Sequence, residues 1–122
     1  MSTNEELSLT QDRREVIGKL NEFSPDFVSI ISKFCLGEIY SRPMLPEKVK
    51  EIIAIVSLIS LGSERLKGHI ESALQSGATK EELSEVIILS SIYLGFPRAI
   101  DAMLILQETT NNLAKSTHPS TL

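Results

Sequence analysis

The sequence predicts an all-α fold, a bundle of about six helices in one domain. Apolar residues recur at helical spacing from Val16 onward, and no stretch alternates with the period of two that indicates a strand. With 122 residues, 42% of them hydrophobic, the chain is long enough for one core and too short to expect two. We divide it into a polar N-terminal segment with an amphipathic helix (1–24), a helical domain (25–113) and a flexible tail (114–122), in which His118 is assigned no functional role.

The first half of the chain predicts two helices and a connector of defined shape. A helix over about 10–21 carries apolar residues on one side. Ser24 and Pro25 then predict a helix start, because the Ser hydroxyl accepts hydrogen bonds from the first free N–H groups and Pro has no N–H to leave unbonded. This second helix should run to about 37–39. The stretch "SRPMLPEK" follows, and its two prolines force extended backbone before the next helix.

The next two helices are predicted from an apolar run and two glycines. Residues Glu47 to Leu61 should form the third helix, which begins polar and then carries apolar residues on nearly every face, the pattern of a helix buried all round. Gly62 is expected to end it, and Ser63 is expected to cap the fourth helix. Gly77 should end the fourth helix in the left-handed conformation that glycine adopts at little cost.

Capping residues and a chain break define the last two helices. Thr79 and Glu82 form a predicted capping box, in which each side chain accepts a hydrogen bond from the other residue's backbone N–H. The fifth helix should run from there to about Leu94. The sequence "GFP" at 95–97 breaks the chain, and a last helix is expected over about 98–113.

Composition argues against several classes of protein. Cys35 is the only cysteine, so there is no intrachain disulfide, no Cys-x-x-Cys pair and no thiolate-rich metal site, and a reducing compartment is expected. The N-terminus has no basic start followed by an apolar run, so a cytoplasmic protein is expected rather than an exported one. The longest apolar run, 52–61, is about half of the ~20 residues needed to cross a bilayer, so we expect no membrane partner.

The charge argues against nucleic acid and leaves a small anionic ligand open. The formal net charge is -4, and the chain has no Trp and no cluster of Lys and Arg, which gives phosphate backbones little to bind. Local basic residues such as Arg42 and Arg98 can still form a pocket of opposite sign. We therefore expect a small anionic substrate and no nucleic acid partner.

The third, fifth and last predicted helices carry apolar residues on more faces than one small bundle covers. Large exposed apolar patches are rare on monomers, so we expect a homo-oligomer with these three helices at its contacts. The alternative is a monomer in which all of these faces are internal.

Two ionisable residues lie at the boundary between polar and apolar helix faces. His69 lies at the margin of the apolar stripe of the fourth helix, where one ring nitrogen can be held by the protein while the other faces a cleft, as a general acid or base requires. Glu51 lies where the third helix changes from polar to apolar, and half-burial there would suit a proton carrier. The alternatives are a surface His with a local hydrogen bond and a solvated Glu beside Lys48 and Lys50.

Five further residues near the predicted breaks are candidate binding residues. All are polar or aromatic and lie close to loops, where functional sites accumulate. Glu38, Tyr40 and Arg42 lie between the second helix and the proline connector, and Tyr93 and Arg98 flank the "GFP" break. Each of them taken singly is also compatible with a structural role.

Four stretches occur in an order that resembles a known family: "FCLGEIYSRPML", "KEIIAIVSLISLG", "LKGHIESALQSGATKEELSEVI" and "YLGFPRAIDAM". Over roughly Pro25 to Glu108 the chain resembles the carboxymuconolactone decarboxylase family, a branch of the all-helical alkyl hydroperoxidase D-like superfamily. The resemblance implies a helical protomer that assembles into trimers or hexamers, with sites near subunit contacts. It also implies loss of CO2 from a carboxylated lactone without metal or organic cofactor, in the aromatic-degradation pathway that leads to 3-oxoadipate.

The resemblance also implies roles for individual residues. The helix-borne His of the family matches His69, and the Glu that opens its apolar helix matches Glu51, so both are expected to be catalytic. His69 would stabilise the negative charge left by CO2 loss, while Glu51 would orient it or return a proton to carbon. Arg42 and Arg98 would hold a substrate carboxylate, and Tyr93 would line the cavity.

The chain departs from the family pattern in three places. The peroxidase-type branch carries Cys-x-x-Cys shortly before the His, whereas here the segment reads "GSERLKGH", so no thiolate nucleophile is available there and thiol peroxidase activity is not expected. Cys35 is interpreted as a small buried apolar residue. The decarboxylases usually carry Trp where Tyr40 stands, and the segment between Leu61 and His69 is one residue shorter.

The leading hypothesis is a cofactor-free decarboxylase, and the alternative is a non-catalytic oligomeric protein that binds a small molecule or partner on the same scaffold.

Overall fold

Helices make up all the regular structure in the part of the chain that the structure describes. In this computed structural model the backbone is described for residues 11–117 and the side chains for residues 13–115. Over that range the predicted all-α fold is confirmed. His118 and the rest of the predicted tail beyond residue 117 lie outside the described residues, as do residues 1–10. The chain divides between Pro46 and Glu47 into two compact units, which are described in turn.

The first unit contains two α-helices and a π-helical segment. These elements are α1 (Gln11–Phe23), α2 (Pro25–Ile30) and the π-helical segment (Ile31–Ile39). Ser24 caps α2 as predicted, because its Oγ accepts a hydrogen bond from the backbone N–H of Phe27 at 3.3 Å. Pro25 occupies the first turn, where its missing N–H costs no intrahelical hydrogen bond.

The second predicted helix reaches Ile39, but its second part is wound differently from the prediction. Ile31–Ile39 is π-helical, and the N–H of Tyr40 donates to the C=O of Cys35, five residues earlier, at 2.9 Å. The wider winding changes the direction in which each successive side chain points. Helical spacing of apolar residues does not separate these two windings over nine residues.

The second unit contains four α-helices. They are α3 (Glu47–Leu61), α4 (Leu66–Gln75), α5 (Lys80–Leu94) and α6 (Phe96–Thr117). The bounds of α3 and the end of α5 match the prediction. The predicted capping box is confirmed: Thr79 Oγ1 accepts from the N–H of Glu82 at 3.0 Å, and Glu82 Oε1 accepts from the N–H of Thr79 at 2.9 Å.

The connection between α3 and α4 differs from the prediction at its cap. Gly62 follows α3, as expected, and has a φ of +62°, in the left-handed region that glycine adopts at little cost. Ser63 does not cap α4, because the helix begins at Leu66 with Arg65 at the N-cap position. The Ser63 Oγ accepts instead from the N–H of Arg65 at 3.0 Å, and this hydrogen bond stabilises the turn between α3 and α4.

The last helix is longer than predicted at both ends. It begins at Phe96 because Pro97 fits in the first helical turn, where N–H groups have no intrahelical partner. It continues past Leu113 to Thr117, with Lys115 near its C-terminus, where a cation interacts favourably with the helix dipole. None of the helices within residues 11–117 combines the length and hydropathy that a bilayer span requires.

The core of the second unit is formed by apolar stripes on all four helices. Helix α5 packs along α6, and α3 packs along α4. The buried apolar residues are Ile55, Ile59, Leu66, Ile70, Ala73, Ala78, Leu83, Ile87, Ala99, Ala102 and Leu106. Burial of these side chains provides the main stabilisation of the unit.

Within the described residues, helix α3 is buried along one stripe and carries exposed apolar residues elsewhere. It buries Glu51, Ile55 and Ile59, which are spaced four residues apart, whereas Ile53 is 52% exposed and Leu61 is 72% exposed. Further exposed apolar residues occur on α5 and α6: Ile88, Leu89, Ile92, Phe96, Ile100 and Leu104. The apolar content of these helices therefore exceeds what the chain covers by itself.

Candidate active site

Glu51 and His69 meet between α3 and α4. Oε2 of Glu51 lies 2.9 Å from Nδ1 of His69. Glu51 belongs to the buried stripe of α3 and is only 4% exposed, so it is more deeply buried than its boundary position suggested. His69 lies beside the buried stripe of α4, with its side chain 19% exposed. The packing of α3 against α4 thus brings together two residues that are 18 positions apart in the chain.

The contact determines how the imidazole is held. A carboxylate this deeply buried is stable only where hydrogen bonds replace its lost water. When the Glu51 carboxylate is ionised, it accepts and Nδ1 of His69 donates, which fixes both the proton position and the ring orientation. The ring nitrogen suited to acid or base chemistry on a ligand is then Nε2.

The lysines next to Glu51 in the sequence bond other carboxylates. Nζ of Lys48 lies 2.9 Å and 3.1 Å from the two carboxylate oxygens of Glu82, and Nζ of Lys50 lies 3.3 Å from Oε1 of Glu47. The Lys48–Glu82 ion pair ties the start of α3 to the start of α5, one turn before Glu51. The hydrogen bond from Lys48 holds the pKa of Glu82 below its ordinary value.

Arg98 lies in the first turn of α6 and lines a cleft that is separate from the Glu51–His69 pair. Its guanidinium lies over Gly62, so close that a Cβ added there would overlap it. The cleft, about 350 Å³ in volume, has mostly apolar walls and lies between the end of α3, the start of α4 and α6. Neither His69 nor Glu51 lines it, so the structure does not join Arg98 to the pair. Within the described residues, no three His, Cys, Asp or Glu side chains are grouped as a metal site requires.

The other predicted binding residues are exposed or half-buried. Tyr93, near the end of α5, is 79% exposed. Glu38, Tyr40 and Arg42 lie in the first unit, at the end of the π-helical segment and in the turn after it; Tyr40 is half-buried and the other two are exposed. Their part in a site stays a prediction. Cys35, which was expected to be buried, is half-buried in the π-helical segment.

Arg65 is a cation near the Glu51–His69 pair, and none of the sequence motifs pointed to it. It precedes His69 by four residues on α4, and the N–H of His69 donates to the C=O of Arg65 at 3.4 Å. Residues four apart share a face of a helix, so the spacing in the sequence was a sufficient signal for this neighbour.

Comparison with models of known protein families shows a match over most of the chain. The model of the carboxymuconolactone decarboxylase family matches residues 25–108, which is more than half of the chain. The matched segment contains both Glu51 and His69, and it also contains Arg65.

Individual relatives are similar over most of the chain. A 4-carboxymuconolactone decarboxylase of Acinetobacter baylyi is 37% identical over 111 residues, covering 83% of each protein. A nitrosuccinic acid decarboxylase of Metarhizium robertsii is 27% identical over 85 residues, covering 69% of this chain and 59% of the relative. An uncharacterised protein of Methanocaldococcus jannaschii is 26% identical over 99 residues, covering 80% of this chain and 92% of the relative.

Proposed function

The chain belongs to the carboxymuconolactone decarboxylase family, and on that premise we propose that it is a cofactor-independent decarboxylase acting on a small carboxylated lactone or a related acid. The observation that carries the proposal is the hydrogen bond between Glu51 and His69 within the matched segment. Two of the relatives are named as decarboxylases, one of a lactone and one of nitrosuccinic acid. Loss of CO2 from an acid is what those two names have in common.

The reaction makes a defined chemical demand on the site. The bond between the carboxylate carbon and its neighbour breaks, CO2 leaves, and the electron pair of that bond stays on the neighbouring carbon. In a lactone the pair is delocalised toward the carbonyl oxygen, and a proton added to carbon completes the reaction. The site therefore needs a group that stabilises the developing negative charge and a source of one proton.

His69 and Glu51 are suited to these two tasks. Nε2 of His69 donates a hydrogen bond to the developing oxyanion and then supplies the proton to carbon, while Nδ1 stays bonded to Glu51. Glu51 keeps the ring oriented and takes part in passing the proton. Because Glu51 is buried, solvent water does not compete strongly for its oxygens.

The remaining residues of the proposed site bind the substrate. Arg42 and Arg98 are proposed to hold substrate carboxylates, since a guanidinium can form two parallel hydrogen bonds with a carboxylate. Glu38, Tyr40 and Tyr93 are proposed to line the space around the rest of the small anionic substrate.

We also propose that the protein is a cytoplasmic homo-oligomer, a trimer or hexamer, with its sites near subunit contacts. The support is the set of apolar side chains that the chain leaves exposed on α3, α5 and α6. Tyr93 and Phe96 are 79% and 66% exposed, an unusual state for neighbouring aromatic residues on a monomer. A second copy seated on this surface would cover them.

The alternative function is non-catalytic binding of a small molecule or partner by an oligomer on the same scaffold. The observation that favours it is the cleft of about 350 Å³ beside Arg98, whose lining does not include the Glu51–His69 pair. A pocket of this size with apolar walls suits a small ligand. Binding without turnover would then be the activity.

The test is CO2 release by the purified protein from 4-carboxymuconolactone, with a sample lacking protein as the blank. The proposal expects CO2 release that rises in proportion to protein concentration and continues after removal of metals by a chelator. Binding of the lactone without CO2 release would support the alternative function instead. If the protein neither binds the lactone nor releases CO2 from it, both functions are contradicted for this substrate.

A further inference from the structure

Arg65, the N-cap residue of α4, lies one turn before His69 on the same side of the helix. The backbone of Arg65 has helical angles, with φ of -75° and ψ of -8°, and its C=O accepts the N–H of His69 at 3.4 Å. Four residues at about 100° each bring the second side chain to within about 40° of the first around the helix axis. Side chains at this spacing are neighbours, with Cβ atoms about 5–6 Å apart.

The direction of the side chains brings the imidazole closer to Arg65. Helical side chains lean toward the N-terminus, so each covers the turn that precedes its own Cα. From this general lean we expect the ring of His69 to cover the turn that Arg65 begins. A ligand group bound beside the ring on its N-terminal side is within the reach of the Arg65 side chain.

The backbone of Arg65 is fixed while its guanidinium is accessible. Its N–H is bonded to Ser63 Oγ at 3.0 Å, and its C=O is bonded to His69. The guanidinium lies 3.8 Å from a carboxylate oxygen of Glu64, with the two side chains 45% and 94% exposed. An ion pair this long and this exposed contributes little. A guanidinium has five N–H donors, so a ligand carboxylate can bind Arg65 beside the groups it already contacts.

The other cations of the second unit are placed less well for this task. Lys48 and Lys50 bond Glu82 and Glu47 at the start of α3 or of α5. Lys67 lies on α4, but at two residues from His69 it points about 160° away around the helix axis. Arg98 lies over Gly62 in a cleft that His69 does not line.

We propose that Arg65 binds a carboxylate of the substrate and holds it beside the ring of His69. This inference rests on the proposed function and deepens it, because it assigns a residue that positions the substrate. A guanidinium bonded to the carboxylate that leaves as CO2 would stabilise the ground state more than the transition state and would slow the reaction. Arg65 therefore holds a carboxylate that the substrate keeps.

The experiment uses a pair of small lactones that the enzyme is not expected to consume. One is 5-oxotetrahydrofuran-2-carboxylate, which carries one carboxylate, and the other is γ-butyrolactone, which carries none. Dissociation constants are read from the ring NMR signals of His69 in the full chain, assigned with a His69→Gln sample. The proteins compared are the wild type, Arg65→Gln, Arg65→Lys and the matched control Lys67→Gln, which removes the same charge from the opposite face of α4.

The inference predicts that Arg65→Gln weakens binding of the carboxylated lactone about tenfold or more, since it loses a charge-assisted hydrogen bond. Arg65→Lys should recover part of that loss, because it restores the charge without the two-bond geometry. Lys67→Gln should stay within about twofold of the wild type, the change expected from a distant screened charge. Binding of γ-butyrolactone should be the same in all four proteins.

Two results would overturn the inference while leaving the proposed function intact. One is wild-type affinity for the carboxylated lactone in Arg65→Gln, and the other is an equal loss in Arg65→Gln and Lys67→Gln, which would indicate net charge alone. If the wild type binds neither lactone at His69 and releases no CO2 from 4-carboxymuconolactone, the proposed function fails and this inference fails with it. Unchanged melting temperatures of the variants serve as the check on folding.

Discussion

The Glu51 carboxylate lies 2.9 Å from Nδ1 of His69, and it is the more deeply buried of the two groups. Because the buried carboxylate bonds Nδ1, Nε2 is the ring nitrogen that can exchange a proton with a ligand. The arrangement resembles the division of labour in hydrolytic triads, where a buried carboxylate sets the tautomer and direction of a histidine. The first and the last of the following predictions test this contact directly.

Replacement of Glu51 by Gln should lower kcat by about 10²-fold or more while changing KM little, because an amide can also donate to Nδ1 and so select the wrong tautomer of the ring. Steady-state kinetics of CO2 release measure both constants. Glu85→Gln, an exposed carboxylate on α5, is the control and should leave both unchanged. A Glu51→Gln enzyme with wild-type kcat would show that the carboxylate has no part in the reaction.

Gly62→Ala should lower the free energy of unfolding by about 1–2 kcal/mol, since an L-residue at a φ of +62° is strained. A displaced Arg98 guanidinium adds to this cost. Urea unfolding measures the difference. Gly18→Ala is the control: it lies within α1 with open space around a new Cβ, and it should be neutral or stabilising. Equal effects of the two substitutions would argue against strain at Gly62.

Thr109→Val should raise the free energy of unfolding by about 1 kcal/mol. The Oγ1 of Thr109 is buried, and it has no hydrogen-bond partner among the described residues. Replacing the hydroxyl by a methyl group removes that cost while keeping the shape. The neighbouring Thr110→Val removes a hydrogen bond to the C=O of Leu106 at 2.9 Å and should not stabilise. Thermal unfolding of the two variants side by side gives the comparison, and a destabilised Thr109→Val would contradict it.

The Lys48–Glu82 ion pair should stabilise the protein at neutral pH and lose its effect in acid. The pKa of Glu82 lies below its ordinary value of 4.5, chiefly because of the hydrogen bond from Lys48. A carboxyl whose pKa is lowered by folding contributes stability above its unfolded pKa, and that contribution disappears as the pH falls through the folded pKa. Glu82→Gln keeps the capping box and removes only the charge.

The melting temperature of Glu82→Gln should therefore be below that of the wild type at pH 7, and the difference should shrink as the pH falls below 4.5. Its neighbour Glu81→Gln, also in the first turn of α5, serves as the control for loss of a charge near the helix dipole. A pH-independent difference for Glu82→Gln would mean that the ion pair does not contribute.

Local signals in the sequence were sufficient for most of the fold. Ser24, Thr79 and Glu82 placed two helix starts because capping is an interaction between neighbours. The π-helical segment was not predicted, since a change from four-residue to five-residue hydrogen bonds leaves no clear mark on apolar spacing. The sequence predicted that α3 carries more apolar faces than the chain covers, but not which of them is exposed, because covered and uncovered apolar residues look the same in a sequence.

The sequence predicted residues of the candidate site but not how they are arranged. The boundary positions of His69 and Glu51 marked them as unusual, but their contact depends on how α3 packs against α4, which no local pattern specifies. Arg98 was grouped with them on its position beside a break, and the structure places it in a different cleft. Arg65 was readable from its four-residue spacing to His69, yet it belongs to none of the motifs that carried the resemblance.

The most direct test of the central claim is the rate of CO2 release from 4-carboxymuconolactone by the wild type and by His69→Gln, compared at equal protein concentration. The account predicts a rate lower by about 10²- to 10⁴-fold in the variant, with an unchanged elution volume in size-exclusion chromatography. A His69→Gln protein that releases CO2 at the wild-type rate would contradict the claim that this ring carries the reaction.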